Sequence, residues 1–212
     1  DKRVKHIETK WSELLAYVVG IITSDGNLSS DGRHINITSK DLEMVQNVKD
    51  ILHLTNMFSR KARGGSTEKE YYVLQFGSKN FYAFLLSIGL TPAKSKTIRK
   101  VLVPDAFFSD FLRGCFDGDG NIYESKHPES KHMQLRLTLA SASESFLIWM
   151  LKSIRRIHKI NGGWITKVDK KSTCLLRFGK NDSIQIFRAM YANSRRYALQ
   201  RKVAVVEKYL GE

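Results

Sequence analysis

Gly114-Cys115-Phe116-Asp117-Gly118-Asp119-Gly120-Asn121-Ile122 has an earlier counterpart in Gly20-Ile21-Ile22-Thr23-Ser24-Asp25-Gly26-Asn27-Leu28. Both stretches fit G-x4-D-G-N-[L/I] and stand 94 residues apart. Phe76-Gly77 and Phe178-Gly179 match in turn at a separation of 102, so the second copy has gained eight residues. The polar stretch Glu124 to His132 has room for them, as a longer hairpin loop. A doubled motif in a chain of 212 residues makes each half a structural unit of about one hundred residues.

The same order of elements extends outward from each motif. Ser12 to Ser24 is mostly apolar and reads as a buried helix with Ser12 as N-cap; Asp105 takes that part before Ala106 to Gly118. A hairpin follows, and its second strand alternates. His34, Asn36 and Thr38 face away from Ile35 and Ile37, and Gln134, Arg136 and Thr138 face away from Leu135, Leu137 and Leu139. Apolar residues at helical spacing come next: Leu42, Val45, Val48 and Leu52, then Leu147, Met150, Leu151, Ile154 and Ile157. Two strands and a shorter helix close each copy, near Phe58–Arg63, Tyr71–Phe76 and Asn80–Ile88, then near Trp164–Val168, Thr173–Phe178 and Asp182–Tyr191. Tyr197 to Leu210 forms one more helix. The expected fold class is α+β: two pseudo-symmetric αββαββα halves, residues 11–91 and 105–212, joined by a linker over 92–104 that is too short to hold them apart.

Small residues recur four apart on the motif helices, Ala16, Gly20 and Ser24 in one and Gly114 and Gly118 in the other. That spacing puts them on one face and lets two backbones approach closely, so Ala16, Gly20 and Gly114 are expected at a helix–helix interface. Asp25 and Asp119 then end the two helices, where a carboxylate meets the negative end of the helix dipole. With the helices in contact the two carboxylates also repel each other. A divalent cation removes both objections, and Mg²⁺ prefers carboxylates, carbonyls and water. A single Asp-Gly-Asn would be an ordinary hairpin turn; two at matched positions, each after a buried helix, indicate a site.

The 35 Lys+Arg against 21 Asp+Glu give a net charge of +14, which points to a polyanionic partner, nucleic acid before an anionic membrane surface. Hydrophobic residues at 42% are enough for a core and exclude a disordered basic tail. Cys115 and Cys174 cannot supply a disulfide framework, so a reducing intracellular compartment, cytoplasm or organelle, is expected. The apolar run Leu14 to Ile22 is about half of a membrane span, and the N-terminal residues carry no apolar signal core, so neither membrane insertion nor secretion is expected.

The stretch Leu112 to Gly120 resembles the second motif of the LAGLIDADG homing endonucleases in their monomeric two-motif form, and Leu15 to Gly26 resembles a first motif. Thr23 departs from the pattern, since the family often has an acid there, but the final Asp is present. Gly89-Leu90-Thr91-Pro92-Ala93-Lys94-Ser95-Lys96-Thr97 is also similar to what precedes second motifs. The resemblance covers about Trp11 to Leu210. It implies a monomer whose two sheets form a saddle over double-stranded DNA. It also implies Mg²⁺-dependent cleavage of both strands of a long asymmetric target across the minor groove, with short 3′ overhangs. Asp25 and Asp119 would each bind metal, two or more ions in all, with the carbonyls of Ser24 and Gly118 as further ligands. The family's basic residue at the last strand–helix junction is matched by Lys79 and Lys180. Its solvent-ordering polar residue at the end of the second strand is matched by Ser39 and Ser141. Helix capping would use the same hydroxyls, with Ser141-Ala142-Ser143-Glu144 as a capping box.

Alternate strand positions reach base edges when a ribbon lies in the major groove. Copy one offers Asn27, Ser29, Arg33, His34, Asn36, Thr38, Arg60, Arg63 and Gln75. Copy two offers Asn121, Tyr123, Lys126, Gln134, Arg136, Thr138, Thr166, Lys167 and Arg177. Lys94, Lys96, Arg195, Arg196, Arg201 and Lys202 read as phosphate contacts. Pro104-Asp105 with Glu124-Ser125-Lys126 spells the PD…ExK pattern of another nuclease class, but Asp105 opens an apolar helix instead of a strand. The rival from a binding class is a cleavage-inactive protein of the same fold, an intron maturase or a DNA- or RNA-binding regulator, with intron RNA as partner. Loss of activity normally shows as replacement of the motif acids, and both are present.

Overall fold

The computed structural model describes residues 6–63, 66–126, 133–168, 172–191 and 196–210. Helix α1 (Glu13–Asp25) starts at Ser12, whose hydroxyl accepts the Leu15 N–H at 3.2 Å. It leads into the hairpin β1 (Gly26–Leu28) and β2 (His34–Ser39), then α2 (Leu42–Ile51), β3 (Ser59–Arg63), β4 (Ser66–Gly77) and α3 (Lys79–Ser87). The second half repeats the order with α4 (Phe108–Asp119), β5 (Gly120–Lys126), β6 (Met133–Ser141), α5 (Glu144–His158), β7 (Trp164–Lys167), β8 (Cys174–Phe178) and α6 (Lys180–Tyr191), and α7 (Gln200–Leu210) is added after it. Each half holds one antiparallel four-stranded sheet, ordered β1-β2-β4-β3 and β5-β6-β8-β7. This is the expected α+β architecture.

Asp105 is not the N-cap of α4. Residues Asp105–Phe107 form a 3-10 turn, Phe107 stands at the cap without a side-chain bond, and the Asp105 carboxylate takes a two-pronged contact from Arg156 on α5. Arginine's planar fork outcompetes the weaker backbone cap for this carboxylate. The stretch Glu124 to His132, expected as a hairpin loop, is strand at its start: Glu124, Ser125 and Lys126 extend β5 and pair with Leu135, Gln134 and Met133, and residues 127–132 lie outside the described ones.

The core explains why α1 is apolar all round. Every residue from Leu15 to Thr23 is buried, because the helix lies against its own sheet on one side and α4 on the other. The two helices touch at Gly20 and Gly114. A Cβ on Gly20 would collide with the carbonyl of Phe111 and lie 2.9 Å from the Cα of Gly114; one on Gly114 would meet the carbonyl of Tyr17 and lie 3.0 Å from the Cα of Gly20. Ala16, fully buried one turn earlier, continues the small-residue face.

Candidate functional site

Because the helices meet over their last turns, the two motif ends come together. A Cβ on Gly118 would collide with the Ser24 hydroxyl and lie 3.0 Å from Oδ2 of Asp25. The carboxylate of one motif thus reaches the backbone of the other, and only glycine leaves room for it. Asp25 is half-buried and Asp119 keeps an open side to solvent. Burial, reinforced by the negative charge of Asp119, pushes the Asp25 carboxyl up to about 7. Asp119 is also raised, by the protein packed behind it. Two neighbouring carboxylates that resist ionisation suit a hard divalent cation. Among the described residues no third His, Cys, Asp or Glu joins them in a metal-holding group.

Two lysines that the sequence reading placed on the surface are buried beside this pair. Lys94, in the 3-10 turn after α3, is 5% exposed and donates to the carbonyl of Gly26, the C-cap of α1. Lys202, in α7, is 3% exposed and donates to the carbonyls of Phe116, of Asp117 at 2.9 Å and of Gly120 at 2.7 Å, the last being the C-cap of α4. Each motif helix therefore ends on a buried ammonium, which offsets its negative dipole end. Burial lowers both lysines to about 8 while nearby carboxylates hold the protons on. The stronger cation acting on Asp25 is Lys202, and the stronger one acting on Asp119 is Lys94. Lys94 and Lys202 are not phosphate contacts of an outer surface.

The tails that carry these lysines cross between halves. Arg201 grips Asp41 at 2.9 and 2.8 Å, and the Gln200 N–H donates to Glu43 at 3.2 Å, which fixes the start of α7 on the start of α2. In the mirror arrangement, the Ser143 hydroxyl donates to the carbonyl of Ile98 beyond Lys94. A small cavity of about 70 Å³ beside Asp119 is lined by Ser24, Ser95 and Ser141 among others.

Lys79 and Lys180 are the first residues of α3 and α6 and are not the cations acting on either aspartate. Strand register explains this. Gly26 pairs with Ile37, so Asp25 lies toward the Ser39 end of β2, whereas Gly77, just before α3, pairs with His34 at the other end. Lys180 instead sits over the ring of Tyr209, 5.7 Å from its centroid. Ser39 and Ser141 are at the aspartate end, where their hydroxyls accept the N–H of Asp41 and of Ser143, both at 3.1 Å. The α5 N-cap is Ser143, which accepts from Phe146, so Ser141 is not the cap of the expected box.

The strand residues form rows. Asn27 pairs with Asn36 and Asn36 with Gln75, which aligns three amides across β1, β2 and β4. In the second sheet Asn121, Thr138 and Arg177 align in the same way, with Tyr123 beside Arg136 in the next row on that face. Asn27, Arg33, Thr38, Arg60, Gln75, Asn121 and Lys167 are exposed; Ser29, His34, Asn36, Tyr123, Gln134, Arg136 and Arg177 are half-buried. Thr138 departs from expectation: it is 7% exposed in the middle of its row, and its hydroxyl, like the buried one of Thr166, has no hydrogen-bond partner. Neither is an open base-reading group. His34 is engaged by Asp31, which also accepts the backbone N–H groups of Arg33 and His34, and these bonds hold Asp31 down at about 2. The side chains of Arg63 and Lys126, and Arg195 as a whole, lie outside the described residues.

Asp117, between the two motif glycines, is 1% exposed. It accepts the hydroxyl of Tyr17 at 2.8 Å and the N–H of Leu199 at 3.0 Å. Burial raises it. Nearby Arg113, 1% exposed, bonds Asp110 at 2.7 Å and the Met190 carbonyl at 2.8 Å, with its guanidinium 5.0 Å from the centroid of the Tyr17 ring.

Comparison with known proteins agrees with this architecture. Residues 12–89 match the family described as LAGLIDADG-like domain. An uncharacterised protein of Methanocaldococcus jannaschii is 25% identical over 132 residues, 59% of this chain and 48% of the relative, so the match spans about half of that protein's length. The crystal structure of full-length DUF199/WhiA from Thermatoga maritima matches with a TM-score of 0.60 at 17% identity, over 96% of this chain and 63% of that one. The I-LtrWI LAGLIDADG homing endonuclease bound to target DNA matches with a TM-score of 0.62 at 11% identity, over 92% and 88% of the two chains. The fold of the chain is the LAGLIDADG homing endonuclease fold. No helix of the described residues is long and apolar enough to cross a membrane.

Proposed function

We propose that this chain, with a LAGLIDADG-like first half and the homing endonuclease fold over both, is a monomeric, divalent-metal-dependent endonuclease that cuts both strands of a long asymmetric DNA site. The observation that carries this reading is the meeting of Asp25 and Asp119 at the ends of two touching helices, each carboxylate raised and each faced by a buried lysine. For binding alone, two carboxylates at the centre of a basic chain are unfavourable, because they repel phosphate.

Asp25 and Asp119 hold the cations, with the Ser24 and Gly118 carbonyls as further donors. Bound there, Mg²⁺ supplies a water of lowered pKa and neutralises charge at the leaving 3′ oxygen. Lys94 and Lys202 place fixed positive charge where phosphate charge builds up, at sites dry enough to strengthen its effect. The amide row Asn27–Asn36–Gln75, and Asn121 and Arg177 on either side of the buried Thr138, lie on the sheets for base reading. Amides suit adenine and arginine suits guanine. Two halves, each spanning about one helical turn, imply a site on the order of 20 bp.

The fold alone is also compatible with binding without cleavage, since the chain is as similar to WhiA as to a homing endonuclease. Selection of binding sites from randomised duplexes in Ca²⁺, followed by incubation of the selected duplex in Mg²⁺, decides between the two. Two staggered cuts leaving short 3′ overhangs support the endonuclease; binding of the same duplex with no cut at any Mg²⁺ concentration contradicts it.

A further inference from the structure

The two copies of the motif differ where it matters for the lysines. Thr23, the counterpart of Asp117, turns its hydroxyl back on its own helix, to the Val19 carbonyl at 2.7 Å. Asp117 instead reaches out of its helix and fixes the N–H of Leu199, three residues before Lys202 and immediately before α7. The same Oδ2 takes the Tyr17 hydroxyl from α1, and Asn47 on α2 donates to that hydroxyl at 3.5 Å. On the other oxygen stands the Tyr191 hydroxyl at 3.5 Å, from the end of α6. The backbone carbonyl of Asp117 is itself one of the three that hold the Lys202 ammonium. One residue thus grips the start of the lysine's helix with its side chain and the ammonium with its backbone.

We propose that Asp117 is the positioning residue for Lys202, so that one of the two DNA cuts depends on it and the other does not. This rests on the endonuclease reading, but the geometry stands without it. Lys94 has a separate support: its turn is tied down by the Ser143 hydroxyl on the Ile98 carbonyl, and its ammonium rests on Gly26. Replacing Asp117 with alanine removes the acceptor for the Leu199 N–H and leaves the first turn of α7 held only from its outer side, by Gln200 and Arg201 on α2, while the Lys94 side keeps every contact. Asparagine retains an oxygen for Leu199 and Tyr17 and can donate to Tyr191, so it should preserve the arrangement.

The test compares Asp117→Ala, Asp117→Asn, Lys202→Met and Lys94→Met in two experiments. Without metal or DNA, ¹H–¹⁵N spectra of the lysine ammonium groups should show protected signals for Lys94 and Lys202, assigned by the methionine variants. Asp117→Ala should lose the Lys202 signal and keep that of Lys94; Asp117→Asn should keep both. On the selected duplex with Mg²⁺, Asp117→Ala and Lys202→Met should slow the same strand by at least about tenfold and leave the other strand within about threefold, Lys94→Met should slow the opposite strand, and Asp117→Asn should restore the balance. A retained Lys202 signal in Asp117→Ala, or equal slowing of both strands, overturns the proposal. Absence of cutting by the unaltered protein removes the nuclease reading alone, and the ammonium spectra still decide the role of Asp117.

Discussion

Gly20 and Gly114 each occupy the space that a side chain on the other would need. A methyl on either would sit within 3.0 Å of the other's Cα and collide with a helix carbonyl. Since alanine is worth about 1 kcal/mol more than glycine in a helix interior, Gly→Ala should help unless the helices are forced apart. We expect Gly20→Ala and Gly114→Ala to lose about 1–3 kcal/mol in denaturant unfolding. Gly179→Ala, where nothing lies within 4 Å, should stay within about 0.5 kcal/mol. Unchanged stability in Gly20→Ala would show that the helices do not meet here.

Lys94 is held at a cost. Its ammonium is pushed down to about 8 by burial, so removing the charge relieves a penalty while leaving one carbonyl, that of Gly26, without its partner. Lys94→Met is therefore expected to keep its stability within about 1 kcal/mol, with the cut made at the Asp119 side slowed by about a hundredfold or more. A variant that unfolds easily yet cuts normally would make Lys94 a structural residue.

The raised Asp25 carboxyl has a pH signature with a definite sign. Its pKa is about 7 folded against an ordinary 3.8 unfolded, so the folded state holds the extra proton between those values. Metal-free stability should fall as pH rises from about 4 to 7, since the folded state then binds more protons than the unfolded one. Divalent cation must displace that proton, so its affinity, measured by calorimetry, should climb with pH up to about 7 and level off above it. Asp25→Asn should flatten both trends.

Asn36 stands between the exposed Asn27 and Gln75 in one row, half-buried, with its amide donating to the Ser29 hydroxyl at 3.2 Å and its oxygen left for a base. Asn36→Ala should relax preference at one or two positions of the selected site, worth about 1–3 kcal/mol against the wrong base. Arg136→Ala should do the same in the second half. A uniform loss over all sequences, with a shallower salt dependence, would mark the residue as a phosphate contact.

The periodicity of the strands and the doubled motif made both halves legible in the sequence, and the small residues four apart placed the helix contact at Gly20 and Gly114. Asp25 and Asp119 followed from the same repeat. Lys94 and Lys202 did not, because a buried lysine has the same letter as an exposed one and only the packed tails show where it goes. The repeat also loses register along the chain: its separation grows from 94 at the motifs to 102 at Phe76 and Phe178, and the two lysines stand 108 apart. Lys79 and Lys180 matched the family's basic residue at the last strand–helix junction, but strand direction puts that junction at the far end of β2 from Asp25. Asp117 was visible only as a departure of Thr23 from its counterpart; its reach to Leu199 is a tertiary contact across 82 residues.

The most direct measurement is strand-resolved cleavage of the selected duplex by the unaltered protein, Asp25→Asn and Asp119→Asn, alongside binding of the same duplex in Ca²⁺. The paired-carboxylate site predicts that only the unaltered protein makes a double-strand break in Mg²⁺, while all three bind with similar affinity. If either variant breaks both strands at the unaltered rate, Asp25 and Asp119 are not the residues that hold the metal, and the account fails.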